Sequence, residues 1–144
     1  MEPGRNRVSL MGKFLPQVSA LKHDLVNTRL RILFVCALNH WRSPTAEVLY
    51  RSDPRLEVRS AGVRSNAQRR ISAADVEWAD VIFVMDREQK RWIQERFREL
   101  QLPDIQVLDI PDALVFMDPE LQRLLRAALD PEIEALLAEN STGV

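Results

Sequence analysis

The sequence predicts an α/β domain in which a four-stranded parallel sheet is flanked by helices on both faces. Three observations carry that prediction. Two short runs, Ile32-Leu-Phe-Val35 and Val81-Ile-Phe-Val-Met85, are apolar without alternation, as strands covered on both faces must be. Stretches with helix-start signals lie between the strand candidates, and alternation of this kind argues for parallel strands joined by helical crossovers. The chain has 144 residues, 46% of them hydrophobic, which suits one packed domain.

The elements follow in order. Residues 1–29 stand apart, with two of the four glycines, Pro3, Pro16 and no clean period beyond a short amphipathic helix over 14–26. An N-terminal extension that packs loosely or not at all is expected there. Ile32–Val35 is the first strand. Ser43–Asp53 reads as a helix with Pro44 in its first turn, where the missing N–H has no intrahelical partner. Leu56–Arg59 alternates apolar and charged residues, as a second strand would. Ser72-Ala-Ala-Asp75 resembles a capping box opening a short helix to Trp78. Val81–Met85 is the third strand, Asp86 can cap a helix reaching Leu100, and Ile105–Leu108 is the fourth strand. Asp118-Pro119-Glu120 has the cap, first-turn proline and acidic first turn of a helix start. Leu121, Leu124, Leu125, Ala128 and Leu129 then recur on one helical face. Asp130-Pro131-Glu132 repeats the start signal, which predicts a break or kink before a last helix. The domain is expected over 30–139, with 140–144 a tail.

Bulk properties narrow the function. Twenty basic and 21 acidic residues leave a formal charge of −1, so nothing pulls the whole surface toward nucleic acid. One cysteine cannot form an internal disulfide, which fits a reducing compartment. No apolar run reaches the roughly 18 residues of a membrane helix, and charges and Pro16 interrupt the start where a secretory signal would be apolar. A cytoplasmic protein is expected. Neither histidine has a partner at ligand spacing, so no metal site and no cofactor are expected.

The chemistry concentrates where the first strand gives way to the first helix. There the chain places its one cysteine, Cys36, and six residues later Arg42, followed by Ser43-Pro44. A tight turn at this point leaves helix-start N–H groups without internal partners, and the helix dipole adds positive character. The result is a cradle for a phosphate-sized anion. Arg42 can close it with a planar fork that holds two oxygens at once. A thiol at its base lies where helix starts and cations lower a cysteine pKa from about 8.5 to roughly 3.5–7.5. The Ser43 hydroxyl can donate to that sulfur. A thiolate facing a bound phosphate is a nucleophile in line for phosphoryl transfer. The plainer alternative, a small buried hydrophobe at Cys36, leaves Arg42, the strand-to-helix position and Ser-Pro unexplained.

These residues carry a family resemblance. Val35-Cys36-Ala37-Leu38-Asn39-His40-Trp41-Arg42-Ser43-Pro44-Thr45-Ala46-Glu47 resembles the V-C-x-G-N-x-x-R-S-P-x-A-E signature of low-molecular-weight protein tyrosine phosphatases. Ser60-Ala61-Gly62 is similar to the family's S-A-G after its second strand, and Asp80–Asp86 to its strand ending in V-M-D. The likeness spans residues 30 to about 138 in the family's order, most closely that of a compact, shortened subgroup. It implies the flavodoxin-like fold of those phosphatases and a two-step mechanism through a phosphocysteine on Cys36. The Arg42 side chain and the loop amides of Ala37, Leu38, Asn39, His40, Trp41 and Arg42 would hold the phosphate oxygens. Asn39 matches the asparagine that keeps the loop in shape, and Ser43 the serine that bonds the sulfur. The implied partner is a phosphotyrosine protein or a small aryl phosphate, and phosphate or sulfate could occupy the loop.

The family's general acid lies late in the chain, in a phrase such as D-I-P-D-P-Y. Here Asp109-Ile110-Pro111-Asp112-Ala113-Leu114 aligns with it and gives Asp112 the acid role, with Asp109 the runner-up and Asp118 third. Asp118 is better explained as a helix cap, and a turn aspartate is the plainer reading of Asp112. Three departures stand out. Leu38 replaces a glycine and would be strained if that position needs positive φ. Trp41 replaces a second cysteine, and Ala113-Leu114 lacks the Pro-Tyr of the substrate slot. Two alternatives therefore stay open: an arsenate reductase using an external thiol, and a phosphate- or phosphopeptide-binding module that turns little over.

Overall fold

The structure, a computed structural model, describes residues 29–142. In chain order these form β1 (Leu30–Cys36), α1 (Arg42–Tyr50), β2 (Leu56–Gly62), α2 (Ala73–Trp78), β3 (Val81–Val84), α3 (Arg87–Arg96), β4 (Asp104–Val107) and α4 (Pro119–Thr142). The strands make one all-parallel sheet in the order β2-β1-β3-β4. The register sets Leu30 beside Leu56 and Cys36 beside Gly62 on one side of β1, and Ile32 beside Val81 on the other. The expected extension over 1–29 and the helix over 14–26 lie almost wholly outside the described residues.

The period of two along β1 divides the core. Leu30, Ile32, Phe34 and Cys36 face α1 and α4, packing with Ala46, Tyr50, Leu121, Leu125, Leu129 and Ile133. Leu33 and Val35 face α2 and α3, packing with Val76, Ile93 and Phe97. Both faces of the sheet are thus covered, which is why its strands read as unbroken apolar runs. Each fully buried aliphatic or aromatic side chain contributes about 1.5–3 kcal/mol, so neither face is dispensable.

α2 starts as the sequence predicts. Ser72 Oγ accepts from Asp75 N at 3.3 Å, and Asp75 Oδ2 accepts from Ser72 N at 3.1 Å. Asp75 is buried and also meets Arg59 at 3.2 Å and Arg69 at 2.5 Å. Burial pushes its carboxyl pKa up, but the Arg69 contact and the Ser72 hydrogen bonds outweigh this and hold it below the ordinary value.

Of the break or kink predicted at Pro131, the break does not occur: α4 runs continuously from Pro119 to Thr142 with Pro131 inside it. Leu121, Leu125, Leu129 and Ile133, four residues apart, are all buried in the same core. They hold one helix face to the sheet on both sides of the proline. The Tyr50 hydroxyl adds a tie by donating to Asp130 Oδ1 at 2.6 Å. Together these offset the roughly 3 kcal/mol that an interior proline costs.

The strand order reverses between β1 and β3. Sheets of this kind bind ligands outside the carboxyl ends of the strands at such a reversal, and there the chain after Cys36 turns into α1.

Candidate active site

The loop between β1 and α1 is held by its carbonyls. Val63 N donates to Cys36 O at 3.1 Å, Arg64 N to Ala37 O at 3.0 Å, Gln68 N to Leu38 O at 2.9 Å, and Thr45 N to Trp41 O at 3.1 Å. The N–H groups of Ala37, Leu38, Asn39, His40 and Trp41 donate to no group among the described residues. A run of five amides left open while the neighbouring carbonyls are bonded outlines a place for an anion. α1 strengthens this. α2 and α3 both start with capping boxes, whereas α1 has no side-chain cap and no acidic residue in its first turn. Its positive end is left for whatever lies in the loop.

Two residues give the loop its bend. Asn39 takes a left-handed φ of 54°, which asparagine tolerates better than most side chains. Leu38, which would be strained at positive φ, is not among the positive-φ residues, so the loop makes its left-handed step one position later. Gly62, at the end of β2, lies against the loop. A Cβ there would come within 2.8 Å of both Ala37 O and Asn39 N, and these are backbone atoms that cannot swing aside.

A polar network lies beneath the sulfur. Asn39 Nδ2 donates to Ser43 Oγ and to Ser60 Oγ, each at 3.0 Å, and Ser60 Oγ donates to Glu47 Oε1. Ser43 Oγ lies 3.0 Å from Cys36 Sγ and 3.3 Å from Ala61 O. A hydroxyl has one proton. With Asn39 filling an acceptor site, that proton goes either to the sulfur or to the Ala61 carbonyl. The pair can therefore serve a thiol, which donates to Oγ, or a thiolate, which accepts from it.

Arg42 is 2% exposed, a buried guanidinium that requires partners. Nη1 donates to Asp86 Oδ2 at 3.0 Å and to Ile110 O at 2.9 Å, and Nε lies 3.5 Å from Asp112 Oδ1. Asp112, with a side chain 63% exposed, stands on the loop after β4. Both ends of that loop are tied to α1: Ile110 O accepts from Arg42, and Met117 N donates to Thr45 Oγ1 at 2.9 Å. Asp109 and Met117 take left-handed φ values of 56° and 63°, which turn the chain at each end.

Cys36, Ala37, Leu38, His40, Trp41, Arg42 and Asp112 line one cavity of about 190 Å³. His40 and Trp41 stack at its edge, with ring centroids 5.7 Å apart and 14° between planes. The side chains of Asn39 and Ser43, expected to shape the loop and to bond the sulfur, lie in the network below. Asp109 is not among the lining residues, and Asp118 serves as a cap, its Oδ1 accepting from Glu120 N at 2.8 Å. A larger groove of about 800 Å³ lies between Arg70–Ala73 and Trp92–Leu100, away from the cysteine. Among the described residues, no three His, Cys, Asp or Glu side chains are grouped to hold a metal ion, and no helix is long and apolar enough to cross a membrane.

Sequence reasoning missed three supports: Asp86, seen only as a cap, which also pairs with Arg42, and Ser60 and Glu47 of the network. The S-A-G and A-E motifs contain the latter two. No local signal pairs Asp86 with an arginine 44 residues earlier.

No family model matches the sequence, and neither does any curated protein. Solved structures do match. SP-PTP, a low molecular weight protein tyrosine phosphatase from Streptococcus pyogenes, has a TM-score of 0.62 at 18% identity, over 74% of this chain and 93% of that one. The YwlE arginine phosphatase from Geobacillus stearothermophilus scores 0.57 at 27% identity, over 74% of this chain and 96% of its own. The tyrosine phosphatase Wzb from Escherichia coli K30, solved with phosphate, scores 0.59 at 22% identity over 74% and 97%, and it has also been solved with sulphate. The four parallel strands and their helices are thus the fold of the low-molecular-weight protein tyrosine phosphatases.

Proposed function

We propose that this protein is a phosphatase that hydrolyses phosphate monoesters, protein phosphotyrosine foremost, through a phosphocysteine. The observation that carries the reading is one cavity lined by a thiol, four residues of the open-amide run, a buried guanidinium and a carboxyl group. Cys36 Sγ attacks phosphorus, forming an S–P bond as the P–O bond to the leaving group breaks, and Asp112 gives its proton to the departing oxygen. Asp112 then takes a proton from water as that water attacks phosphorus, and the S–P bond breaks to release inorganic phosphate and the thiolate. The amides and Arg42 hold the equatorial oxygens throughout, which is most of what such a transfer requires. Asp112 lies 3.5 Å from Arg42 Nε, so a phosphate engaging that nitrogen takes its place and frees it to act on the leaving group.

An aromatic leaving group suits the mouth. The exposed large hydrophobic side chains among the described residues are Leu38, Val115 and Phe116, and all three lie on the two loops that border the cavity. A second reading, phosphoarginine, draws on the 27% identity to an arginine phosphatase and on the carboxylate of Asp112, which could meet a guanidinium. Release of phosphate from matched phosphotyrosine and phosphoarginine peptides, with p-nitrophenyl phosphate as reference, separates the two. We expect turnover of p-nitrophenyl phosphate and the phosphotyrosine peptide, with Cys36→Ser inactive on both. Turnover that survives Cys36→Ser removes the mechanism, and faster hydrolysis of phosphoarginine changes the substrate.

A further inference from the structure

Gln89 has no part in the chemistry above, yet it is a polar side chain only 2% exposed. Both ends of its amide are engaged. Oε1 accepts from Met85 N and from Asp86 N, each at 2.9 Å. Nε2 donates to Asp86 Oδ2 at 3.1 Å, and this is the oxygen that accepts from Arg42 Nη1 at 3.0 Å. A carboxylate at a helix N-cap ordinarily serves the N–H groups of the first turn. The Gln89 amide supplies a competing donor from the other side and keeps Oδ2 toward the guanidinium.

The effect on Arg42 follows from its hydrogens. Nη1 has two, and they are taken by Asp86 Oδ2 and Ile110 O. The remaining edge, Nε with Nη2, is the one that can hold two oxygens of an anion in parallel. We propose that Gln89 is a positioning residue for this arginine: by fixing Asp86 it occupies Nη1 and turns the Nε–Nη2 edge to the phosphate. The inference rests on the phosphatase reading for its substrate, but its central quantity is anion affinity.

Gln89→Glu tests it with little change of shape. The glutamate keeps an acceptor for the Met85 and Asp86 amides but replaces the donor with a second carboxylate oxygen facing Asp86 Oδ2. The charged groups facing this cluster are Asp86 at the start of α3, Arg42 from α1 and, beyond it, Asp112 from the loop after β4. All three are present in wild type as well, so the ratio of wild type to variant isolates residue 89. Near pH 7 the variant should bind vanadate or inorganic phosphate about tenfold more weakly, with kcat/KM falling in step. As the pH falls toward 5, the glutamate, its pKa raised by the neighbouring carboxylate, takes up a proton and becomes a donor again. The ratio should then shrink toward one, a reversal that simple loss of packing would not produce. A ratio that stays constant between pH 5 and 7, or unchanged affinity at pH 7, overturns the proposal. Should wild type bind vanadate without turning over any phosphate ester, while the pH-reversible defect persists, Gln89 keeps its role and the phosphatase reading falls. Should wild type bind neither anion, both fall.

Discussion

The loop after β1 and the loop after β4 border the same cavity, but the first buries Asn39 and bonds most of its carbonyls, while the second is largely exposed between anchors near its ends. In the first, Asn39, Arg42 and Ser43 are buried, and the carbonyls of Cys36, Ala37, Leu38 and Trp41 all have partners. In the second, Asp112, Val115 and Phe116 stand out in solvent between the anchors at Ile110 and Met117. On the proposed function the difference separates two tasks. An oxyanion cradle works by being preorganised, since donors that must reorient lose their advantage. A proton donor must meet leaving groups of various shapes, and an exposed position permits that.

The contrast yields predictions that can break it. The largest effect is expected from Asp112→Asn on the exposed loop, which should lower kcat for p-nitrophenyl phosphate by about 10²–10⁴-fold and leave vanadate affinity within a few-fold of wild type. The same change at Asp109, made as Asn to suit its left-handed φ, should leave kcat within about threefold, because Asp109 does not line the cavity. If Asp109→Asn gives the larger loss, the two aspartates exchange roles. Gly62→Ala strikes the buried loop instead. Its Cβ would meet Ala37 O and Asn39 N at 2.8 Å, so vanadate affinity and kcat/KM should fall together by about 10²-fold. A kcat loss with affinity unchanged would mean that the cradle is not rigid.

How far the sequence revealed this depends on distance along the chain. The cradle was legible because its parts are local: an apolar run, one cysteine, an arginine six residues on and a proline in the next helical turn. The Ser72–Asp75 box and the Asp118 cap were legible for the same reason. Asp86 and Gln89 were not, since their meeting with Arg42 exists only once β1 and β3 are adjacent. At Pro131 the opposite held: a strong local signal did not end the helix, because four buried residues on the α4 face hold it to the sheet on both sides. Asp112 was singled out only by the phrase around it, and a turn aspartate without that phrase would have looked ordinary.

The smallest effect concerns stability at a distance from the cavity. Asp75 has its pKa held below the ordinary value, so its contribution is present above the unfolded-state pKa near 4 and lost as pH falls through the lower folded value. Asp75→Asn should therefore cost about 1–2 kcal/mol at pH 7, limited because both partner arginines are partly exposed. Thermal unfolding of the two proteins should converge as pH drops toward 3. A gap that widens with acid would contradict the assignment.

The central claim is that Cys36 takes the phosphoryl group. It is tested most directly by quenching Asp112→Asn with acid during turnover of p-nitrophenyl phosphate and mapping phosphate by mass spectrometry. The account predicts phosphate on the peptide containing Cys36 and on no other. Turnover without phosphate on that peptide, or phosphate on another side chain, would contradict it.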